Sequence, residues 1–346
     1  MLVYCALIFS LFVAGINAIY VFDSKLPPRL QWLSNDGYCG EVSTVAAGLK
    51  YGQYFSQYDI RDIATGNQQK YYLIGFNDKQ TSTSLRLSYI EFDSENNIGT
   101  EKYLSWIKSM TRRGYAITIG VYMNYYLFYG VTIPGAGEFD YDHIVSVSNI
   151  MSKYDDDEYH PEDIITISDH GLWAPRITGP VYLFNYTFSD FIGTREEANA
   201  RNGNLYTLPK SSKLTTWNFG IAHTGIHDDN NDTLRVTIET NVNYEAPEID
   251  NKSNQRPKSM PLLLTARIYG MVVDVSYNIY QYNDETIVPT SQFNEHANLA
   301  NKIMTVKCCH TSEYGTFTDD GTTFLLATNI LSNEKVIYRA VRTDAK

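Results

Sequence analysis

Cys39 stands where a chain can place a nucleophile. Asn35, Asp36 and Gly37 just before it are turn formers, so the backbone reaches Cys39 from a loop. After it, Val42, Val45, Ala46 and Leu49 recur at the spacing of one apolar helical stripe. Cys39 is therefore predicted in the first turn of a buried helix, where unpaired N–H groups and the helix dipole stabilise a thiolate. Gly40 lets a substrate carbonyl approach the backbone closely. A cysteine kept only for packing would more often lie within the stripe than at its start. Gln31, eight residues upstream, carries an amide that can donate to an oxyanion beside the Cys39 N–H. Trp32 and Tyr38 are expected to wall the cleft or fill the core beneath it, and core suits Trp32 better.

A thiol nucleophile needs an imidazole base and a third group to orient that base. The chain has seven histidines. His143 begins an apolar run, Tyr141 to Ser148, that reads as a strand. A helix is predicted near 100–113 and a buried strand over 115–123. A further strand runs from Asp163 to Asp169 and His170. An antiparallel turn joining the last two strands would set Asp169 beside His143. Adjacent strand residues point to opposite faces, so Asp169 and His170 are not expected to face Cys39 together, and Asp142 alternates with His143 in the same way. The acidic stretch 153–158 between these strands reads as a solvated hairpin loop and not a metal site.

At these residues the chain resembles a known family. The stretches GYCGEVS, YGQYFSQYD, YDHIVSV and SDHGLW look like the C39-like cysteine peptidases, a branch of the papain-like superfamily, and the likeness extends to the β-rich tail around YNIYQYN. The resemblance implies an α+β papain-like core, a thiolate–imidazolium pair of Cys39 and His143, Asp169 as the orienting residue and Gln31 at the oxyanion hole. It also implies peptide or protein substrates and no cofactor or metal.

Composition sets the frame. The chain has 346 residues, beyond one ordinary domain, with 43% hydrophobic residues including 28 Tyr. A net charge of -11 excludes the basic face that nucleic acid would need. Residues 1–18 are apolar, carry no charge and end in Ala18, the pattern of a secretory signal peptide cleaved there. No later stretch is apolar for long enough to span a bilayer, so the mature protein is expected to be secreted and free of the membrane. Sequons at Asn185, Asn231 and Asn251 agree with export. Cleavage removes Cys5 and leaves Cys39, Cys308 and Cys309, an odd number, so at least one thiol stays outside any intramolecular disulfide. Cys308 and Cys309 could form a vicinal disulfide or remain two thiols.

Two domains are expected after the signal: residues 19–211 as the catalytic unit and 212–346 as an antiparallel β-sandwich. Alternating aromatics from Tyr182 to Phe191 suggest one more strand of the first unit, followed by a helical piece near 194–201. Beyond 212, strand-like runs recur at 233–240, 262–268, 270–280, 302–308, 322–329 and 335–341, separated by turn-rich pieces. His223 and His227 lie four apart, but in a Gly- and Asp-rich loop, unlike the helix of a zinc hydrolase. Cys308-Cys309-His310 lacks the second ligand pair of a zinc site. The leading expectation is a peptide-bond hydrolase working through Cys39, His143 and Asp169. The alternatives are a thiol amidase or acyl transferase on the same fold, or a secreted binding protein with an inactive cleft. In any of these the β-domain is a candidate for protein or glycan recognition.

Overall fold

The apolar stripe after Cys39 does become a helix, and every residue of it is buried. A computed structural model of the chain describes residues 19–32, 37–66, 77–96, 99–130, 142–170, 183–210, 218–244 and 256–345. The expected signal segment, Asn35 and Asp36, Tyr182 and the Asn251 sequon lie outside those residues.

Along the chain, β1 (Tyr20–Asp23) precedes α1 (Cys39–Lys50), β2 (Gln53–Tyr54), α2 (Gln57–Thr65), α3 (Asp78–Ser84) and β3 (Leu87–Glu91). Then come α4 (Thr100–Arg112), β4 (Ala116–Met123), α5 (Tyr125–Tyr129), β5 (His143–Ser152), β6 (Ile164–Ser168) and β7 (Leu183–Thr187). Three short pieces, α6 (Phe188–Phe191), β8 (Ile192–Gly193) and α7 (Arg195–Ala198), lead to β9 (Tyr206–Pro209) and β10 (Gly220–Ile226). The remainder is β11 (Val236–Thr240), β12 (Pro261–Ile268), β13 (Ser276–Tyr282), β14 (Lys302–Lys307), β15 (Thr316–Phe317), β16 (Phe324–Leu331) and β17 (Val336–Arg342).

Nine of these strands form one sheet with the path β3-β10-β4-β5-β6-β7, while β1 joins β5, and β8 and β9 extend from β4. All pairings are antiparallel except β8 with β9. Strand β4 is buried along its whole length because both its faces are covered. Its odd residues Ile117, Ile119 and Val121 share a core with Tyr103, Leu104 and Ile107 of α4. On the even side, Ala116 packs with Ala47 of α1.

The other strands make two four-stranded sheets, β11-β12-β16-β15 and β14-β13-β17-β2, which contribute to one common core. Val45 and Leu49 of α1 and Ile60 and Ala64 of α2 belong to that same core. Burying Val45 and Leu49 there contributes roughly 2 kcal/mol each. Helix α1 is thus held between the nine-stranded sheet and the β-sandwich. Two strands cross the expected division at residue 212: β10 lies beyond it yet pairs with β3 and β4, and β2 lies before it yet pairs with β17. The architecture is mixed α+β, with mostly antiparallel sheets.

Two sequence expectations need correction. The aromatic alternation holds as a strand only through Thr187. The Thr187 side chain then accepts the Asp190 N–H at 3.1 Å, starting a helical turn that buries both Phe188 and Phe191. The run 270–280 becomes strand only from Ser276, because Gly270 and Asp274 take positive φ and build a turn. Among the described residues no helix is long and apolar enough to cross a membrane.

Candidate active site

Cys39 is the first residue of α1 and Tyr38 its N-cap. The approach to it is held from below by Arg61 of α2. The Arg61 Nη2 donates to the Gly37 carbonyl, its Nε to Glu41 Oε1 at 2.6 Å, and its guanidinium lies 3.6 Å over the Tyr38 ring. Arg61 and Glu41 are both buried, so the ion pair fixes both the last loop residues and the first helical turn. Gly37 has φ +95, and a Cβ there would fall 2.6 Å from Gln31 Nε2. Glycine is required for the turn and for the close approach of the Gln31 amide. That amide therefore packs against the backbone two residues before Cys39. Gln31 is further fixed by its N–H, which donates to the His170 carbonyl at 2.9 Å. Trp32 is core, as expected, 4.6 Å from the Tyr38 ring centroid.

His143 opens β5, opposite Val121 of β4. Its Nε2 meets Asp169 Oδ1 at 3.0 Å, just past the end of β6, the antiparallel partner of β5. The Cys39 thiol lies near enough to the same ring to favour its charged form. All three side chains are buried. Burial pulls His143 down, but the hydrogen bonds and charges of Asp169 and Cys39 outweigh it, so the imidazole is pushed up to about 10. Asp169 moves the other way. Burial opposes its charge, yet His143 holds the carboxyl below its ordinary range. His143 is thus held as an imidazolium beside the Asp169 carboxylate and the Cys39 sulfur.

Asp169 and His170 lie just past the end of β6, and their side chains take different partners. The His170 ring turns to α1, where Nε2 is 2.9 Å from Ser43 Oγ, and it meets His143 edge-on at 5.9 Å between centroids. Burial pulls His170 down to about 3, so it stays neutral beside the charged His143. Asp142 likewise points away. Its Oδ2 takes Arg195 Nη2 at 2.6 Å and the Met123 N–H at 3.0 Å.

Three contributors escaped the sequence reading. Tyr206 of β9 stacks on the His143 ring at 5.6 Å and 23°. Its hydroxyl and Asp169 Oδ2 are both buried and neither makes a well-formed hydrogen bond. Burial, together with the nearby Asp169 carboxylate, pushes the Tyr206 phenol up. Tyr206 arrives from a strand paired with β4, and no local pattern marks it. Arg61 and Ser43 are also invisible as site residues, because only the packing of α1 reveals what they touch.

A second buried His with a hydroxyl partner exists and is chemically different. His223 Nε2 lies 2.9 Å from Ser82 Oγ, beside an internal cavity behind Gly40 and Thr44 of α1. That cavity offers about 10 Å³, the space of one water. No substrate fits there. Burial alone pulls His223 down to about 4. His227 is exposed and pairs with Asp229 at 3.1 Å, so these two histidines do not converge. In the loop after β5, Asp155 and Asp157 bind Arg112, and Asp156 binds Lys108 and His160. Among the described residues, no group of three or more His, Cys, Asp or Glu is placed to hold a metal ion. Protein-family models, curated proteins and solved structures all return no match to this chain, so what the site can do is read from its own geometry.

Proposed function

We propose that this chain is an exported thiol hydrolase of the papain-like kind that cleaves amide bonds in peptides or proteins. The observation that carries this is the buried grouping of Cys39, His143 and Asp169, in which one imidazole bonds a carboxylate and lies beside a helix-start thiol. Few structural needs call for a cysteine, a histidine and an aspartate joined in that order.

The Cys39 sulfur attacks the carbonyl carbon while His143 holds the proton. The tetrahedral oxyanion is met by the Cys39 N–H and by the Gln31 amide, each such donor worth about 10²–10³ in rate. The C–N bond breaks, His143 gives its proton to the leaving amine, and a thioester remains on Cys39. Water, deprotonated by His143, then attacks the thioester. The acid leaves and the proton returns to the Cys39–His143 pair. Asp169 fixes the ring orientation throughout.

The test is the alkylation rate of Cys39 in the folded chain as a function of pH, followed by turnover of a mixed peptide library. Reaction well below the ordinary thiol pKa of about 8.5, lost in His143→Ala, is the expected result. Cys39→Ala should keep its circular dichroism and melting profile while turnover disappears. Peptide cleavage that survives in Cys39→Ala, or a Cys39 that titrates like a free thiol, would falsify the proposal.

A further inference from the structure

The two remaining cysteines of the described chain sit together far along the sequence from the nucleophile. Cys308 and Cys309 form the corner of a turn in which the His310 N–H donates to the Lys307 carbonyl at 3.2 Å. Their sulfurs are 3.1 Å apart. Adjacent side chains in an extended strand would point to opposite sides. Here Cys309 takes φ +65, a left-handed conformation that side-chain-bearing residues rarely adopt, and this turns both sulfurs the same way. Both sulfurs also approach one acceptor, the Gly321 carbonyl, at 3.4 and 2.7 Å. The backbone of Cys308 is pinned by its N–H to the Val275 carbonyl at 2.9 Å. A strained conformation of this kind persists only where the surroundings over-determine it, and it marks functional turns.

The two thiols are unequal. Cys308 is fully buried and Cys309 is exposed. Burial, then the neighbouring sulfur, pushes the Cys308 thiol up to about 12. A reagent from solution therefore meets Cys309 first.

We propose that Cys308 and Cys309 are a reversible dithiol–disulfide modification site, entered at Cys309 and closed by a small-molecule disulfide such as oxidised glutathione. The Cys309 thiolate attacks one sulfur of the reagent, and the first glutathione leaves as thiolate with the electron pair of the broken S–S bond. Cys308 then attacks Cys309 Sγ, its proton passes to solvent, and the second glutathione leaves. Two protein thiols are oxidised to one disulfide, and one glutathione disulfide is reduced to two thiols. Neighbouring Cα atoms are about 3.8 Å apart, shorter than the span an unstrained disulfide prefers, so the bond is open to reduction by free thiol. The site is independent of Cys39, which is buried and engaged with His143. It also gives each of the three cysteines among the described residues a role: one nucleophile and one switchable pair.

The test equilibrates the full chain in mixtures of reduced and oxidised glutathione, quenches in acid, alkylates and maps the peptide containing residues 308 and 309. Two species are expected, a doubly alkylated peptide and an unalkylated one lighter by two hydrogens, interconverting as the mixture is changed. Cys308→Ser should trap glutathione on Cys309, and Cys309→Ser should leave Cys308 unmodified in the folded chain. A doubly alkylated peptide that persists in excess oxidised glutathione would overturn the proposal. So would glutathione accumulating on Cys309 of the unsubstituted chain, since closure should expel it.

Discussion

His143 and His223 are equally buried, lie on strands of the same sheet and flank the same helix, yet they are driven in opposite directions. His143 is pushed up to about 10 and His223 is pulled down to about 4. Desolvation acts against the imidazolium at both sites. At His143 it is outweighed by a carboxylate 3.0 Å away and by the Cys39 sulfur. At His223 the ring meets Ser82, a neutral hydroxyl that cannot support a charge. Burial alone thus makes a neutral histidine, whereas burial with a carboxylate and a thiol makes a charged one.

The largest expected difference follows directly. His143→Ala should lower turnover, and Cys39 alkylation at neutral pH, by on the order of 10³-fold, the worth of a positioned proton carrier. His223→Ala should leave Cys39 alkylation within about twofold while lowering the melting temperature, because it opens a cavity and strands Ser82. Equal loss of alkylation in both variants, with fold intact, would erase the distinction drawn between the two sites.

Acid stability separates them next. Holding His223 at about 4, against 6.5 for a free imidazole, is worth roughly 3 kcal/mol at neutral pH. Its folded pKa is depressed, so that stability is present above about 6.5 and is lost as pH falls toward 4. His170, pulled down to about 3, adds to the same acid limb. His143 has the opposite sign. Its contribution is complete below about 6.5 and fades as pH rises through about 10. Urea titrations between pH 4 and 7 should show stability climbing with pH, and His223→Gln should flatten that slope. An unchanged slope would mean that His223 is charged in the fold.

Asp169→Asn should cost less than loss of His143. The imidazole keeps its position but loses a charge-assisted hydrogen bond, worth about 1.5–3 kcal/mol. Turnover should fall roughly ten- to hundred-fold, and the alkaline limb of Cys39 alkylation should move to lower pH as the imidazolium becomes easier to deprotonate. A fall in turnover without that move would make Asp169 a packing residue only.

Much of this is legible in the sequence. The stripe Val42, Val45, Ala46 and Leu49 located α1, and the apolar runs beginning at 115, 141 and 163 located β4, β5 and β6, although β5 runs on to Ser152, four residues past the expected end. Placing His143 at a strand start and Asp169 at the end of the antiparallel partner then sufficed to join them. Local patterns carried no information on contacts between elements distant in sequence. β10 sits in the large sheet although it lies beyond the expected division at 212, and β2, two residues long, closes an edge of the sandwich. Arg61 was equally opaque. A buried arginine in a polar helix reads as solvent-facing until Glu41 and the Gly37 carbonyl are seen beneath it.

Tyr206 is the smallest and sharpest case. Its ring covers His143, and its buried hydroxyl lies near the Asp169 carboxylate. Tyr206→Phe keeps the stacking surface and removes only the hydroxyl, a change of about 1 kcal/mol, or roughly fivefold in turnover. Because the hydroxyl acts through Asp169, the loss should come with a shift in the alkylation pH profile in the same direction as Asp169→Asn and smaller. In an Asp169→Asn background the same substitution should cost almost nothing more, since the two act on one proton. Additive losses in that double-mutant cycle would place Tyr206 outside the relay, leaving it as a lid on the imidazole whose hydroxyl is incidental.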